Sequence, residues 1–299
     1  MSSDRHLLCL GLGYTARRFA RVMMARGWRV SGTARTDAGA AAVARDGITG
    51  RVFDRDRPLP VEILRDVTHV LVSVPPDEGG DPVLDVMTPA FAAAAPDLAW
   101  VGYLSTTGIY GDTGGAWVDE DSPTVPTQAR SRRRLEAESA WLGLHRDHGL
   151  PVEVFRLSGI YGPGRSALDS VRTGRAHRAV KPGHVSCRIH VDDIAQVLAA
   201  AVDRPSPGTI YTLADREPAP PQDVVAEACA LLGVEPPPEV ALEDAGLSPM
   251  ALSFYAETRR VRADRVAERL GVRLLHPTYR EGLRAILAEE RGNAGANEP

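Results

Sequence analysis

The sequence predicts an α/β fold in which a parallel sheet is covered by helices on both faces. Two observations predict it. Strand-like apolar segments at 6–10, 28–33, 50–54, 68–74, 98–105 and 152–157 alternate with helix-length stretches, the rhythm of a doubly wound parallel sheet. The first segment, His6-Leu7-Leu8-Cys9-Leu10, runs straight into Gly11-Leu12-Gly13-Tyr14-Thr15-Ala16 and then into a helical stretch ending near Arg26.

That junction has the form of a dinucleotide-binding turn, and the expected architecture is Rossmann-type. Gly11 allows the tight bend, and Gly13 lets the backbone approach a pyrophosphate. Ala16 brings the helix close to the sheet, so phosphates rest on the helix's N-terminal amides. Tyr14 and Thr15 lie on the turn itself, where cofactor contact follows from position. Gly27 ends the helix, and the second strand delivers Thr33-Ala34-Arg35-Thr36 to the adenosine ribose. An NAD site places Asp or Glu there. Arg35 instead offers a permanently charged fork suited to a 2′-phosphate, with the Thr33 and Thr36 hydroxyls as further donors. The cofactor expected is NADP(H), with NAD(H) as the alternative.

The third strand ends at Asp54 and the fourth at Val74-Pro75-Pro76, where proline must leave the ladder. Cofactors lie at such strand ends, so Asp54, Val74 and Pro75 join the cofactor-side candidates. Asp81-Pro82 opens a helix running past Pro89 toward Ala95. Residues 128–148 form the next helix, closed by Gly149-Leu150-Pro151. After Leu157 the rhythm changes. A turn-rich stretch at 158–164 leads into irregular, basic chain as far as Arg188. Asp192 and Asp193 then cap a helix through Ala201, followed by a strand at 208–213 and a turn and helix at 218–232. Pro236-Pro237-Pro238 marks a loop, and a last helix begins at Tyr279. A frayed tail is expected at 291–299.

Composition excludes several classes. A net charge of −4 leaves no electrostatic footprint for nucleic acid. The apolar stretches are strand-sized, which indicates neither a membrane span nor a secretory signal. Cys9, Cys187 and Cys229 form no close-spaced metal motif and cannot all pair, in keeping with a reducing, cytoplasmic setting. Lys181 is the single lysine among 35 basic residues, so arginine has displaced lysine throughout. No metal site, Ser-His-Asp arrangement or phosphate loop ending in Gly-Lys-Ser/Thr is readable.

Four blocks, taken in order, resemble the extended short-chain dehydrogenase/reductases, relatives of the nucleotide-sugar epimerases and dehydratases. They are the turn at 11–16, Leu104-Ser105-Thr106-Thr107-Gly108-Ile109-Tyr110-Gly111, Arg156-Leu157 with Ile160-Tyr161-Gly162-Pro163-Gly164, and Ile189-His190-Val191-Asp192-Asp193. Residues 211–287 look like an atypical branch of that group. The resemblance implies a Rossmann domain over 1–158 and 189–213, with a smaller C-terminal substrate lobe over 159–188 and 214–290. It also implies a homodimer through the helices near 82–95 and 128–148. The family's catalytic pair is Tyr-x-x-x-Lys, but registering on Leu135 and Glu138 puts Arg130 and Arg134 at those positions. Neither arginine can act as a neutral acid or base near pH 7, although Arg134 can hold ribose hydroxyls or a phosphate.

The catalytic candidates are therefore Thr106, in the place of the family's serine or threonine, Tyr110 as the nearest phenol, and His190 from the strand-to-helix block. Arg156, Arg165 and Arg188 are candidates to ring a phosphate or carboxylate. The function expected is an NADP(H)-binding oxidoreductase that moves hydride at a small polar or nucleotide-sugar-like substrate with a non-standard acid/base. A non-catalytic NADP(H) sensor and a sugar-nucleotide epimerase or dehydratase are the alternatives.

Overall fold

In the computed structural model, which describes residues 5–295, the alternation read from the sequence becomes a sheet of seven strands. In chain order the first half runs β1 (His6–Leu10), α1 (Tyr14–Ala25), β2 (Arg29–Ala34), α2 (Asp37–Arg45), β3 (Thr49–Val52), β4 (His69–Val72), α3 (Pro82–Ala94), β5 (Trp100–Thr106), β6 (Trp117–Val118), α4 (Ala129–His148) and β7 (Val152–Leu157). The second half is more broken: β8 (Gly159–Tyr161), α5 (Ala167–Arg172), β9 (Arg178–Val180), β10 (Arg188–His190), α6 (Val191–Asp203), β11 (Ile210–Leu213), α7 (Pro221–Leu232), β12 (Glu239–Ala241), α8 (Pro249–Leu252), β13 (Arg260–Val261), α9 (Asp264–Leu270) and α10 (Tyr279–Gly295).

The main sheet is ordered β11-β7-β5-β4-β1-β2-β3, and every pairing is parallel. Both of its faces are covered, which is why β1 reads as an unbroken apolar run rather than an alternating one. Leu7 and Cys9 point into one layer with Phe19 of α1, Ile194 and Leu198 of α6, and Phe155. Leu8 and Leu10 point into the other with Phe91 of α3, Trp141 of α4, and Tyr103. The switch in chain direction away from β1 places β2 on one side and β4 on the other, so a crevice opens at the C-terminal end of β1.

Local signals terminate these elements where expected. Asp81 accepts N–H bonds from Val83 and Leu84 and also from the indole of Trp141, fixing the start of α3 against α4. Thr36 caps α2 by accepting from Gly39 N. The strands at the sheet edge are shorter than the sequence suggests: β3 stops at Val52, and Asp54 lies beyond it in a turn with Arg57. The last helix is longer, continuing through Gly295 where a frayed tail was expected, and residues 296–299 lie outside the described residues.

A third apolar cluster joins Tyr161, Leu168, Val224, Ala228, Tyr279, Leu283 and Ile286 around α5, α7 and α10. Two-stranded parallel ladders β8–β10, β9–β12 and β6–β13 stitch these late segments together. The chain near α9 departs from the expected division of the sequence. Val266, Leu270 and Val272 pack into the sheet's own core with α6, although they fall within the stretch expected to form a separate lobe. No helix among the described residues is long and apolar enough to cross a membrane.

One buried acid in this core sets a pH dependence. Glu153 on β7 is fully buried; one oxygen accepts from Ser206 N and the other has no hydrogen-bond partner. Burial pushes its carboxyl up to about 7, from 4.5 for the free group, against the pull of the Ser206 N–H. Asp215, raised to about 7 chiefly by burial, acts in the same window. Between those values the folded chain holds a proton that the unfolded chain has lost. Stability is therefore fully present below about pH 4.5 and falls as pH rises toward 7. For Glu153 the loss is on the order of 3 kcal/mol. Urea unfolding at pH 5 and pH 8 should show this decline, and Glu153→Gln should make it shallower; an unchanged slope would show that Glu153 is not its source.

Candidate functional site

The C-terminal ends of β1, β5 and β7 open onto one cleft of about 510 Å³. Its walls come from the glycine turn (Gly13 to Ala16), from Leu104 to Gly108 after β5, from Gln128, Arg130, Ser131 and Arg134 at the start of α4, and from Leu157 to Ile160. Arg165, Ser186, Cys187 and the late segment containing Ser253, Phe254, Glu257 and Arg259 complete it.

The two turn glycines serve different purposes. Gly11 has φ +84°, and a Cβ there would lie 3.0 Å from both Val74 Cγ2 and Val74 N. It is glycine because the turn bends into the left-handed region and β4 passes close by. Its N–H donates to Thr33 Oγ1 at 2.8 Å, and its carbonyl accepts from Ser73 Oγ. A Cβ on Gly13 would meet nothing within 4 Å, so the chain's own packing does not demand glycine there. The space it leaves belongs to the cleft. No side chain caps α1 and no acidic residue occupies its first turn, so the amides of Tyr14, Thr15 and Ala16 face that space as free donors. This set fits a dinucleotide pyrophosphate.

The residues expected around the adenosine ribose divide. Thr33 is buried, with its hydroxyl engaged by the glycine turn, and Thr36 is engaged in capping α2. Both oxygens accept from backbone N–H groups; burial keeps the Thr33 hydroxyl inside, whereas Thr36 is exposed and its O–H remains available as a donor. Asp54 holds Arg57 at 2.8 Å, and Arg57 in turn donates to the Arg35 carbonyl at 2.8 Å, so Asp54 acts on the backbone of the β2 end. Arg35 itself is exposed and has no ion pair among the described residues. Val74 buttresses Gly11, Pro75 follows it, and Ser73 is the residue of that strand end that lines the cleft.

Thr106 lines the cleft, half-buried, and its Oγ1 accepts from Gly108 N at 3.1 Å. A Cβ on Gly108 would lie 2.8 Å from Ser131 Oγ and 3.4 Å from Thr106 Oγ1. The glycine therefore lets the Thr106 and Ser131 hydroxyls converge on one spot of the cleft wall. Ser131 was missed in the sequence because a serine inside an arginine run on a helix carries no signal of its own. Arg134 spans the cleft floor, donating to Leu104 O at 2.8 Å and Tyr103 OH at 3.3 Å. Arg130 is exposed, lies over the Phe254 ring at 4.8 Å, and directs Nη1 at Met250 Sδ at 3.4 Å.

Tyr110 and His190 are placed elsewhere. Tyr110 is buried; its hydroxyl receives Arg156 Nη1 at 2.9 Å and lies 3.2 Å from Thr212 Oγ1, and burial raises the phenol above its ordinary value. It belongs to a network centred on Arg156, which pairs with Glu138 at 2.7 Å while Ser105 donates to the same carboxylate at 2.6 Å. Arg156 is thus a core cation, not part of an anion ring. Arg188 donates to the Ser186 and Ala219 carbonyls, and of the three ring candidates only Arg165 lines the cleft.

His190 is buried at the start of α6, its Nδ1 accepting from Asp192 N at 3.2 Å. Burial, helped by the neighbouring His276, lowers it to about 4, so the ring is neutral. Asp193, expected as a cap, instead receives the backbone N–H groups of Leu275 and His276 and pins that segment to α6. His190, Asp193 and His276 present potential ligand atoms within 4.8 Å of one another. With Nδ1 accepting the Asp192 N–H, neutral His190 carries its own proton on Nε2, which has no hydrogen-bond partner among the described residues. The cluster is a clamp.

No protein-family model matches the chain. Its fold is similar to that of a functionally unknown conserved protein from Silicibacter pomeroyi, 49% identical with a TM-score of 0.89, over 95% of this chain and 99% of that one. A structure from Methylobacillus flagellatus, provisionally assigned as an NAD-dependent epimerase/dehydratase, is 25% identical with a TM-score of 0.70, over 97% of this chain and 100% of that one. Protein YeeZ of Escherichia coli K12 is 29% identical over 245 residues, which is 76% of this chain and 84% of YeeZ. NAD-complexed sugar-nucleotide dehydratase and epimerase structures at 17% and 14% identity share the fold alone.

Removing one partner of the buried ion pair leaves the other charge unpaired in the core. Arg156→Ala should therefore cost about 3–5 kcal/mol in urea unfolding, and Arg156→Met with Glu138→Leu should recover much of it. Equal losses in the single and double variants would show that packing, not the stranded charge, sets the cost.

Proposed function

We propose that the chain is a nicotinamide-dependent enzyme of the extended short-chain dehydrogenase/reductase type, in their epimerase/dehydratase-like branch, using NADP(H), with NAD(H) as the weaker cofactor. The observation that carries this reading is one continuous cleft. It runs from the uncapped N-terminus of α1 and the open space at Gly13 to the hydroxyls of Thr106 and Ser131 on either side of Gly108.

The preference for NADP(H) rests on Arg35, which has no ion pair among the described residues and stands at the end of β2 where an acidic residue would accept from ribose hydroxyls. Arg165, over the Tyr14 ring at 5.7 Å, adds positive charge beside the phosphate end. Arg134 spans the floor between the two ends of the cleft and can reach ribose hydroxyls. A bound nicotinamide supplies or accepts the hydride. The chain's own part is to orient a small polar or nucleotide-sugar-like substrate and to handle the proton. Thr106 holds the reacting oxygen, Ser131 continues the hydroxyl path, and the proton passes to water at the cleft mouth. Tyr110 and His190 take no part in that path, since each is buried behind the wall. A substrate lobe built on α5, α7 and α10, a homodimer through α3 and α4 and a cytoplasmic location complete the reading, the last supported by three free cysteines.

Two measurements test it. NADPH fluorescence titration should give tighter binding than NADH, and Arg35→Ala should narrow that preference by about tenfold. Gly13→Val should weaken both cofactors with little change in melting temperature, because its Cβ enters open space. Equal affinities unchanged by Arg35→Ala would reject the NADP(H) assignment. Following NADPH absorbance against a carbonyl panel, Thr106→Val should lower turnover by about 10²-fold. Tight cofactor binding with no oxidation of NADPH by any carbonyl would instead favour a non-catalytic sensor.

A further inference from the structure

We propose that the substrate carries an anionic group, and that Arg130, at the position where related enzymes keep their proton-donating tyrosine, is the residue that binds it. The inference rests on the cleft being the cofactor and substrate site proposed above.

The charge of the cleft comes first. Arg130, Arg134, Arg165 and Arg259 line it against a single acid, Glu257, in a chain whose net charge is −4. Glu257 is already paired with Arg259 at 2.7 Å. Such a concave, cationic wall in an acidic protein concentrates anions.

The arginines are not equivalent. Arg259 also donates to Gly111 O, and Arg134 is committed to Leu104 O and Tyr103 OH. Arg165 stands by the glycine turn, at the end of the cleft that suits a pyrophosphate. Arg130 has no carboxylate or carbonyl partner among the described residues. Its one polar contact is a thioether, a weak acceptor, so the donors of its planar fork are essentially unspent. The guanidinium lies over the Phe254 ring at 4.8 Å, and with only Nη1 directed at the thioether its Nε–Nη2 edge is left for a two-oxygen acceptor.

Position excludes the cofactor as that acceptor. Arg130 lines the same cleft as Ser131 and Thr106 and its guanidinium lies against Phe254 of the late segment, so its donors are assigned to the reacting end. The pyrophosphate end lies at Gly13, and the 2′-phosphate end lies beyond β2 at Arg35. The ligand chemistry is therefore a carboxylate or a phosphoryl group on the substrate itself. Loss of the family's tyrosine has exchanged a proton donor for an anion anchor.

The test uses the full chain saturated with NADP+, titrated calorimetrically with oxalate in one arm and inorganic phosphate in the other. Arg130→Gln should weaken the tighter-binding anion at least about tenfold, while NADPH affinity and melting temperature stay near wild type. Arg130→Lys, a point charge without the fork, should recover phosphate binding more than oxalate binding. Arg132→Gln, on an exposed neighbour, should leave both anions unaffected. The arm that binds more tightly identifies the group as carboxylate or phosphoryl. The proposal is overturned if neither anion binds the wild type, if Arg130→Gln leaves both affinities unchanged, or if Arg132→Gln weakens them equally. Should NADP+ itself fail to bind, the cofactor reading fails separately, and the same titrations on the cofactor-free chain still decide the role of Arg130.

Discussion

The buried pair of Arg156 and Glu138 holds the floor of the cleft in place. Glu138 comes from α4 and Arg156 from β7, and around them gather Ser105 of β5, Tyr110, Glu120 and, through Glu120 and Tyr110, Thr212 of β11. An ion pair so deep gains little net stability, because desolvating both charges offsets most of their attraction. What it contributes is geometry. Every remaining donor and acceptor of the pair is directed at a neighbouring element, so α4 cannot slide along the sheet without stranding a charge. Thr106 and Ser131 flank this network in sequence, on β5 and α4, and their convergence over Gly108 depends on that fixed registry.

The same rigidity separates the residues at the start of α4 from the core behind them. Arg130 and Arg134 project from the first turns of α4, whose later turns are anchored by Glu138 and Trp141 in the core. Changes at the exposed start of the helix alter the charge and chemistry of the cleft and leave the packing behind it untouched. A tyrosine and lysine at these positions would hold one cation and one titratable hydroxyl. Two arginines hold two permanent cations and no group that titrates near neutral pH, which makes the wall attractive to anions.

Much of this was readable from residues close together in the chain. The glycine turn, the cap at Asp81 and the commitment of β1 to a two-sided core all follow from spacings of a few residues, where backbone sterics and burial act locally. The candidate site was harder. Tyr110 and His190 carry acid/base chemistry in their side chains, yet the fold turns both inward, one onto Arg156 and the other into a clamp with Asp192 and His276. Thr33 is buried, and its hydroxyl oxygen accepts from Gly11 N in the turn 22 residues earlier, a support for the backbone that residue type alone does not reveal.

By itself the sequence determined the parallel α/β architecture and the form of the glycine turn, since each is written in contiguous residue types and their periodicity. Tertiary structure decided which of many arginines are core, which are surface and which face the cleft. Residue type is the same in all three cases, so composition cannot separate them. The partners that do separate them lie far away in the chain: Arg130 meets Met250 across 120 positions, and Thr127 meets Glu257 across 130. Only closure of the late segment over the start of α4 brings those groups together.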